Sequence, residues 1–323
     1  MSSKVFVARN IPAAGLDRIR ELTDCTVWPD RLPPSPGVLI ENSIGCHGVL
    51  TLLSDRIDAA FFDAVGPQLK VISNFAVGYN NIDFEEATRR GIAVGNTPGV
   101  LTDSTADTAL ALLLAAARCV REGIENVSRR EWLTWEPMGF IGQDLVGKTI
   151  GIVGMGRIGH ATGKRLHFGW GMNVLYTSRT DKPDADNELG ATRVSLEQLL
   201  AESDFVSVHT DLNPETTRMF GASEFAAMKS NAVFVNTARG GVVDEAALHS
   251  ALTTGQIFAA GLDVTDPEPL TGDSPLRELA NCVILPHIAS GTVASRNAMA
   301  EIAADNLLAG LAGRPMRHQV NPL

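Results

Sequence analysis

Lys148-Thr-Ile-Gly-Ile-Val-Gly-Met-Gly-Arg-Ile-Gly159 decides how this chain is read. Its apolar run Thr149 to Val153 predicts a buried strand. Gly154, Gly156 and Gly159 then form a Gly-x-Gly-x-x-Gly turn into a helix starting near Arg157. Gly154 permits the tight turn, Gly156 lets a pyrophosphate approach the backbone, and Gly159 lets the helix pack closely on its strand. The unpaired N–H groups and partial positive charge of the helix start complete an anion site, with Met155, Arg157 and Ile158 inside the turn. Such a turn standing alone can be purely structural, so its surroundings decide.

They fit a dinucleotide site. A helix from Arg157 to Leu166 leads to a second strand, Asn173 to Thr177, which closes a β-α-β unit of about 30 residues. An acid at the end of that strand would serve the ribose 2′-OH of NAD. Ser178-Arg179-Thr180 stands there instead, and a guanidinium between two hydroxyls suits a 2′-phosphate. NADP(H) is therefore the expected cofactor, with NAD(H) as the alternative if Arg179 is a solvated loop residue and Asp181 serves the ribose.

The 323 residues suffice for two domains with proper cores, and the formal net charge of −10 argues against a nucleic-acid surface. No apolar run reaches the ~18 residues of a membrane span, and the N-terminal residues run straight into a strand, so neither a membrane partner nor a signal region is expected. Cys25, Cys46, Cys119 and Cys282 are scattered without metal or redox spacing, which fits reduced thiols in the cytoplasm. The histidines show no metal-ligand pattern.

Before the fingerprint, strands are expected at Lys4 to Ala8, His47 to Leu53 and Leu69 to Phe75, alternating with helices at Ala13 to Leu22 and Asp58 to Val65. Strand-helix alternation predicts a parallel sheet, with ligands beyond the carboxyl ends of its strands. Leu53 and the turn Ala76-Val77-Gly78 fall at such ends, although composition alone also allows an ordinary turn. Thr102 to Cys119 reads as a buried apolar helix. Glu131 to Phe140 carries Trp132, Trp135 and Phe140, which form either a partner surface or a loop packed back on its own chain. Beyond the β-α-β unit, strands are expected at Phe205 to His209, Asn231 to Asn236, Phe258 to Leu262 and Cys282 to Leu285, giving about six in this half. A long helix, Thr292 to Leu311, returns the chain to the first domain. The expected architecture is α/β, with two doubly wound parallel-sheet domains and a cleft between them: a substrate domain at 1–101 plus 291–323 and a dinucleotide domain at 102–290.

Three strand-to-loop junctions in the second half carry ionisable groups: Thr237-Ala238-Arg239, Thr265-Asp266-Pro267-Glu268 and Pro286-His287. Each alone has a bland explanation as a cap, a turn acid or a loop histidine. Together, behind a dinucleotide turn, they suit carbonyl reduction. Arginine holds a carboxylate in bidentate fashion, histidine donates a proton as hydride arrives, and the acid orients the histidine and favours its protonated form.

Gly-Met-Gly-Arg-Ile-Gly, Asn-Thr-Ala-Arg-Gly-Gly-Val-Val-Asp, Ala-Ala-Gly-Leu-Asp-Val-Thr-Asp-Pro-Glu-Pro-Leu and Val-Ile-Leu-Pro-His-Ile-Ala-Ser resemble the D-isomer-specific 2-hydroxyacid dehydrogenase family. The Leu-Leu-Ser-Asp, Trp-Glu-Pro-Met and Tyr-Thr-Ser-Arg-Thr stretches are most similar to its glyoxylate/hydroxypyruvate reductase branch. The resemblance implies a flavodoxin-like substrate domain beside a Rossmann domain. It implies Arg239 as ligand of the substrate carboxylate and carbonyl, His287 as proton donor and Glu268 as its partner. It also implies Val77 and Gly78 as backbone donors to the carboxylate, Leu53 in the pocket wall, and a homodimer in which Trp135 reaches the neighbouring subunit's pocket. Cofactor contacts carry over to Thr105, Gly154 to Gly159, Ser178 to Thr180, His209, Thr237 to Arg239, Asp263 and His287. The activity implied is NADPH-dependent reduction of glyoxylate and hydroxypyruvate. The alternatives are bulkier 2-ketoacids, 3-phosphoglycerate, or a dinucleotide-sensing corepressor. Asp211 departs from the proline usual in the family and is expected near the adenine edge, where Arg179 can pair with it.

Overall fold

The computed structural model describes residues 2–323. Twelve strands form two parallel sheets: β1 (Lys4–Val7), β2 (Asp24–Val27), β3 (Gly48–Thr51), β4 (Val71–Asn74) and β5 (Ala93–Gly95) in one, and β6 (Thr149–Val153), β7 (Asn173–Thr177), β8 (Thr192–Arg193), β9 (Phe205–Val208), β10 (Val233–Asn236), β11 (Ala259–Leu262) and β12 (Cys282–Ile284) in the other. The α-helices are α1 (Ala13–Leu22), α2 (Pro36–Ser43), α3 (Ala59–Val65), α4 (Phe84–Arg89), α5 (Thr102–Ala117), α6 (Val120–Ser128), α7 (Arg157–Trp170), α8 (Pro183–Leu189), α9 (Leu196–Glu202), α10 (Ala222–Ala227), α11 (Glu245–Thr253) and α12 (Val293–Leu311). The chain divides into two compact units, one holding the residues up to Leu101 and those from Gly291 to Leu323, the other Thr102–Ser290.

In the first unit the strand order is β2-β1-β3-β4-β5, the flavodoxin-like doubly wound arrangement. β3 and β4 are buried along their whole length, as strands covered on both faces must be. Their register pairs Thr51 with Asn74, so the two strands end level with each other. The returning helix α12 packs on β3, β4 and β5 and against α1. Helix starts follow the sequence: Asp58 caps α3 through the Phe61 N–H, and Thr292 caps α12 through the Ser295 N–H.

The second unit has the order β12-β11-β10-β9-β6-β7-β8. Numbered from β6, this is the Rossmann order with one further strand, and the reversal of direction falls between β6 and β9. Seven strands replace the six expected, because β8 is a two-residue edge strand with both residues exposed and no apolar pattern to announce it. α7 also runs past Leu166 to Trp170; Gly171 is the first residue to turn left-handed, and its N–H closes the helix on the carbonyls of His167 and Leu166. α5 packs on α7 and across β10, β11 and β12, so its nearly all-round apolar surface is used within this unit. Among the described residues no helix is long and apolar enough to cross a membrane, and no group of three His, Cys, Asp or Glu side chains could hold a metal. All four cysteines are free.

Candidate active site

The glycine turn lies where β6 meets α7. Gly154 sits at φ +97, and a Cβ there would lie 2.7 Å from the backbone of His209, so the turn presses directly on the end of β9. A Cβ on Gly159 would meet the Gly154 carbonyl at 2.3 Å, whereas Gly156 faces open space within 4 Å. No side chain caps the start of α7, whose 14 residues point their first N–H groups into that space. This is an open cradle at a helix N-terminus, and the residues present fit a dinucleotide. The Met155 side chain is turned into the hydrophobic core, which leaves only its backbone to the turn. Thr105 is buried in the first turn of α5.

At the end of β7, Ser178 is partly buried, and Arg179 and Thr180 are exposed. The Arg179 guanidinium has no ion-pair partner among the described residues. The carboxylate of Asp181 is taken by Arg193 at 2.6 Å. The expected pairing of Asp211 with Arg179 is not made; the Asp211 charge acts on Arg239, where it favours the charged form. In the turn that follows β9 the Asp211 carbonyl accepts the Thr216 hydroxyl at 2.6 Å.

β10, β11 and β12 are neighbours in one parallel sheet, so the turns bearing Arg239, Glu268 and His287 leave from three adjacent carboxyl ends. Contacts across these turns draw them together. A Cβ on Gly240 would lie 2.0 Å from the Thr265 carbonyl, so the Arg239 turn rests backbone to backbone on the turn carrying Glu268. Glu268 Oε1 accepts the Thr265 N–H at 3.2 Å, and Oε2 lies 2.8 Å from His287 Nδ1. Glu268 also acts electrostatically on Arg239, opposing the burial that pulls the guanidinium below its ordinary range. One carboxylate thus faces both the imidazole and the guanidinium.

His287 sits at φ +53, a left-handed conformation that costs a non-glycine residue about 1–3 kcal/mol. Asp263 holds it there. Its carbonyl accepts the His287 N–H at 2.8 Å, and its carboxylate accepts the N–H groups of Ile288 and Ala289 at 2.8 and 2.9 Å. Burial raises the carboxyl pKa of Asp263, and these two donors oppose the rise.

His209 forms a separate cluster. Nε2 lies 2.8 Å from the Ser207 hydroxyl and Nδ1 lies 3.4 Å from that of Thr237, while burial pushes the imidazole pKa down to about 3. It is therefore a neutral hydrogen-bonding group at the wall between the glycine turn and Thr237. Asn236, which the sequence offered only as a strand end, braces the Arg239 turn: its amide accepts from the Ala238 N–H and donates to the Arg239 carbonyl, each at 2.9 Å. The signal for it was the pairing of a fully buried amide with a turn that leaves backbone groups unpaired.

In the first unit, Leu53 follows β3 and is 39% exposed. The Val77 and Gly78 carbonyls are held by side-chain amides, Asn96 Nδ2 at 2.7 Å and Asn74 Nδ2 at 3.0 Å. Both peptides are thereby oriented by buried or partly buried asparagines. Trp132 and Trp135 are 68% and 80% exposed, which removes the reading of that loop as packed back on its own chain.

Comparison with known proteins bears on the whole chain. Residues 110–289 match the family model described as D-isomer specific 2-hydroxyacid dehydrogenase, NAD binding domain. A glyoxylate reductase of Korarchaeum cryptofilum is 48% identical over 322 residues, 99% of this chain and 96% of that protein. The crystal structure of the TT0316 protein from Thermus thermophilus superposes with a TM-score of 0.91 at 47% identity, covering 98% of this chain and all of that one. An NADPH-dependent glyoxylate/hydroxypyruvate reductase of Sinorhizobium meliloti, solved with NADP and malonate, has a TM-score of 0.87 at 31% identity over 99% of this chain and 97% of that one. With these matches and a sheet order, glycine turn and three-turn cluster of this kind, the chain belongs to the D-isomer specific 2-hydroxyacid dehydrogenase family.

Proposed function

We propose that this chain reduces small 2-ketoacids, glyoxylate to glycolate and hydroxypyruvate to D-glycerate, with NADPH preferred to NADH. The observation that carries the proposal is the 2.8 Å contact of His287 Nδ1 with Glu268, made beside the Arg239 turn on adjacent strand ends. The names and ligands of the relatives agree with it.

The reduced nicotinamide supplies the hydride when bound; the chain's own groups do the rest. With Nδ1 hydrogen-bonded to Glu268, the proton for the carbonyl oxygen is carried on His287 Nε2. Arg239 grips the ketoacid carboxylate and polarises the neighbouring carbonyl, and its charge is fixed because arginine does not lose its proton in proteins. In the first unit, the backbone N–H groups of Val77 and Gly78 are the candidate carboxylate donors, and Leu53 is the candidate pocket wall. Arg179, flanked by Ser178 and Thr180, receives the 2′-phosphate; the absence of a competing ion pair on its guanidinium among the described residues supports this. Trp132 and Trp135 cover part of a homodimer contact, and the enzyme works in the cytoplasm.

Initial rates on a panel of 2-ketoacids with NADPH and with NADH test the proposal. Glyoxylate and hydroxypyruvate should give the highest kcat/KM, and NADPH should exceed NADH. Tight cofactor binding with negligible turnover on every acid would point instead to a sensor.

A further inference from the structure

The turn after β7 is held from outside. Arg193, at the edge strand β8, sends Nε and Nη2 to the Ser178 carbonyl at 3.1 and 2.8 Å, Nη2 also to the Arg179 carbonyl at 3.3 Å, and Nη1 to the Asp181 carboxylate at 2.6 Å. A single guanidinium thus spans three of the four residues from Ser178 to Asp181. Two further bonds close the turn: the Ser178 hydroxyl donates to the Thr180 carbonyl, and the Lys182 N–H donates to the buried Tyr176 hydroxyl at 3.0 Å. None of these bonds uses the Arg179 guanidinium.

Exposed ion pairs contribute little to stability, so the Asp181 contact is not explained by holding the fold together. It does two things for an anion. It keeps the only acid of the turn paired, and it leaves the exposed Arg179 and the half-buried Lys182 as the cations beside it. Its carbonyl contacts draw the Ser178 and Arg179 carbonyl oxygens toward Arg193, so these negative dipole ends are not turned on a phosphate. The fork of arginine can make all these contacts at once; lysine, a point charge on a flexible stem, cannot.

We propose that Arg193 is the positioning residue for cofactor selection: it shapes the Ser178–Asp181 turn to accept a 2′-phosphate and withholds the Asp181 carboxylate from the ribose 2′-OH. This rests on the reading of Arg179 as the phosphate partner. Without Arg193 the freed Asp181 repels a 2′-phosphate and offers an acceptor to a 2′-hydroxyl, so the two cofactors respond in opposite senses.

The test compares kcat/KM for NADPH and NADH with glyoxylate in the full chain, for wild type, R193M and R179A, with thermal melts to show folding. R193M should lower the NADPH to NADH ratio about tenfold, through KM for NADPH rather than kcat, the effect of about one charge-assisted contact. Calorimetry should show the same loss for 2′,5′-ADP and none for 5′-AMP. An unchanged ratio, or an equal fall with both cofactors, overturns the proposal. If R193M does not accumulate as folded protein, R193K is read in its place: a fall of about threefold supports the proposal and an unchanged ratio overturns it. A wild-type enzyme without NADPH preference, or R179A that leaves the ratio intact, overturns the reading of Arg179 and this proposal with it. An R179A effect without an R193M effect overturns Arg193 alone.

Discussion

Glu268→Gln isolates the charge of the acid from its shape. The variant keeps an acceptor oxygen that can face His287 Nδ1, now 2.8 Å from the carboxylate, and removes one negative charge. Hydrogen bonds to charged groups contribute about 1.5–3 kcal/mol and neutral ones about 0.5–1.5, a difference near 1–1.5 kcal/mol. The two side chains are 24% and 29% exposed, so solvent screens the pair and the lower half of that range applies. A loss of about 1.2 kcal/mol is roughly eightfold in kcat/KM. Glyoxylate reduction at saturating NADPH, compared between the two proteins, reads this loss, and an unchanged kcat/KM would remove Glu268 from the proton-donor arrangement.

Two further substitutions test the scaffold around the site. Gly240→Ala places a Cβ 2.0 Å from the Thr265 carbonyl, so the Arg239 and Glu268 turns must part; urea unfolding should show about 1–3 kcal/mol of lost stability, and kcat/KM should fall at temperatures where the variant is fully folded. Unimpaired turnover would show that the contact does not position Arg239. His209, at about 3 in the native chain and ~6.5 once unfolded, takes up its proton only on unfolding in the range between. Stability is therefore lost as pH falls below about 6.5, with a slope approaching 1.4 kcal/mol per pH unit from this one group. His209→Gln should flatten the decline in urea midpoint between pH 6.5 and 5, and parallel curves for the two proteins would refute the assignment.

The parts of the fold legible in the sequence were those with strong local pattern. β6 and β7 fall at Thr149–Val153 and Asn173–Thr177 as the apolar runs predict, and α1 keeps its expected limits. The turns of Arg239, Glu268 and His287 were legible because each follows an apolar strand, fully buried for β10 and β11 and partly buried for β12. What escaped was short, polar or non-local. β2 alternates half-buried with exposed residues in Asp-Cys-Thr-Val, β8 has two exposed residues, and α8 buries only Ala185 and Leu189 of a polar heptapeptide. Gly240 owes its identity to a backbone 25 residues ahead, and Arg193 acts on a turn 12 to 15 residues behind it. The charge of Asp211 is felt at Arg239, 28 residues further along the chain. No local pattern encodes contacts of this kind.

Single-turnover reduction of glyoxylate by NADPH, compared between wild type and His287→Gln, isolates the proton-donor step, with cofactor binding measured in parallel by fluorescence. Wild type should oxidise NADPH and form glycolate stoichiometrically, and the variant should be slower by about two to four decades, a loss far larger than any change in its affinity for NADPH. A variant that still turns over at the wild-type rate would contradict the role of His287 as proton donor.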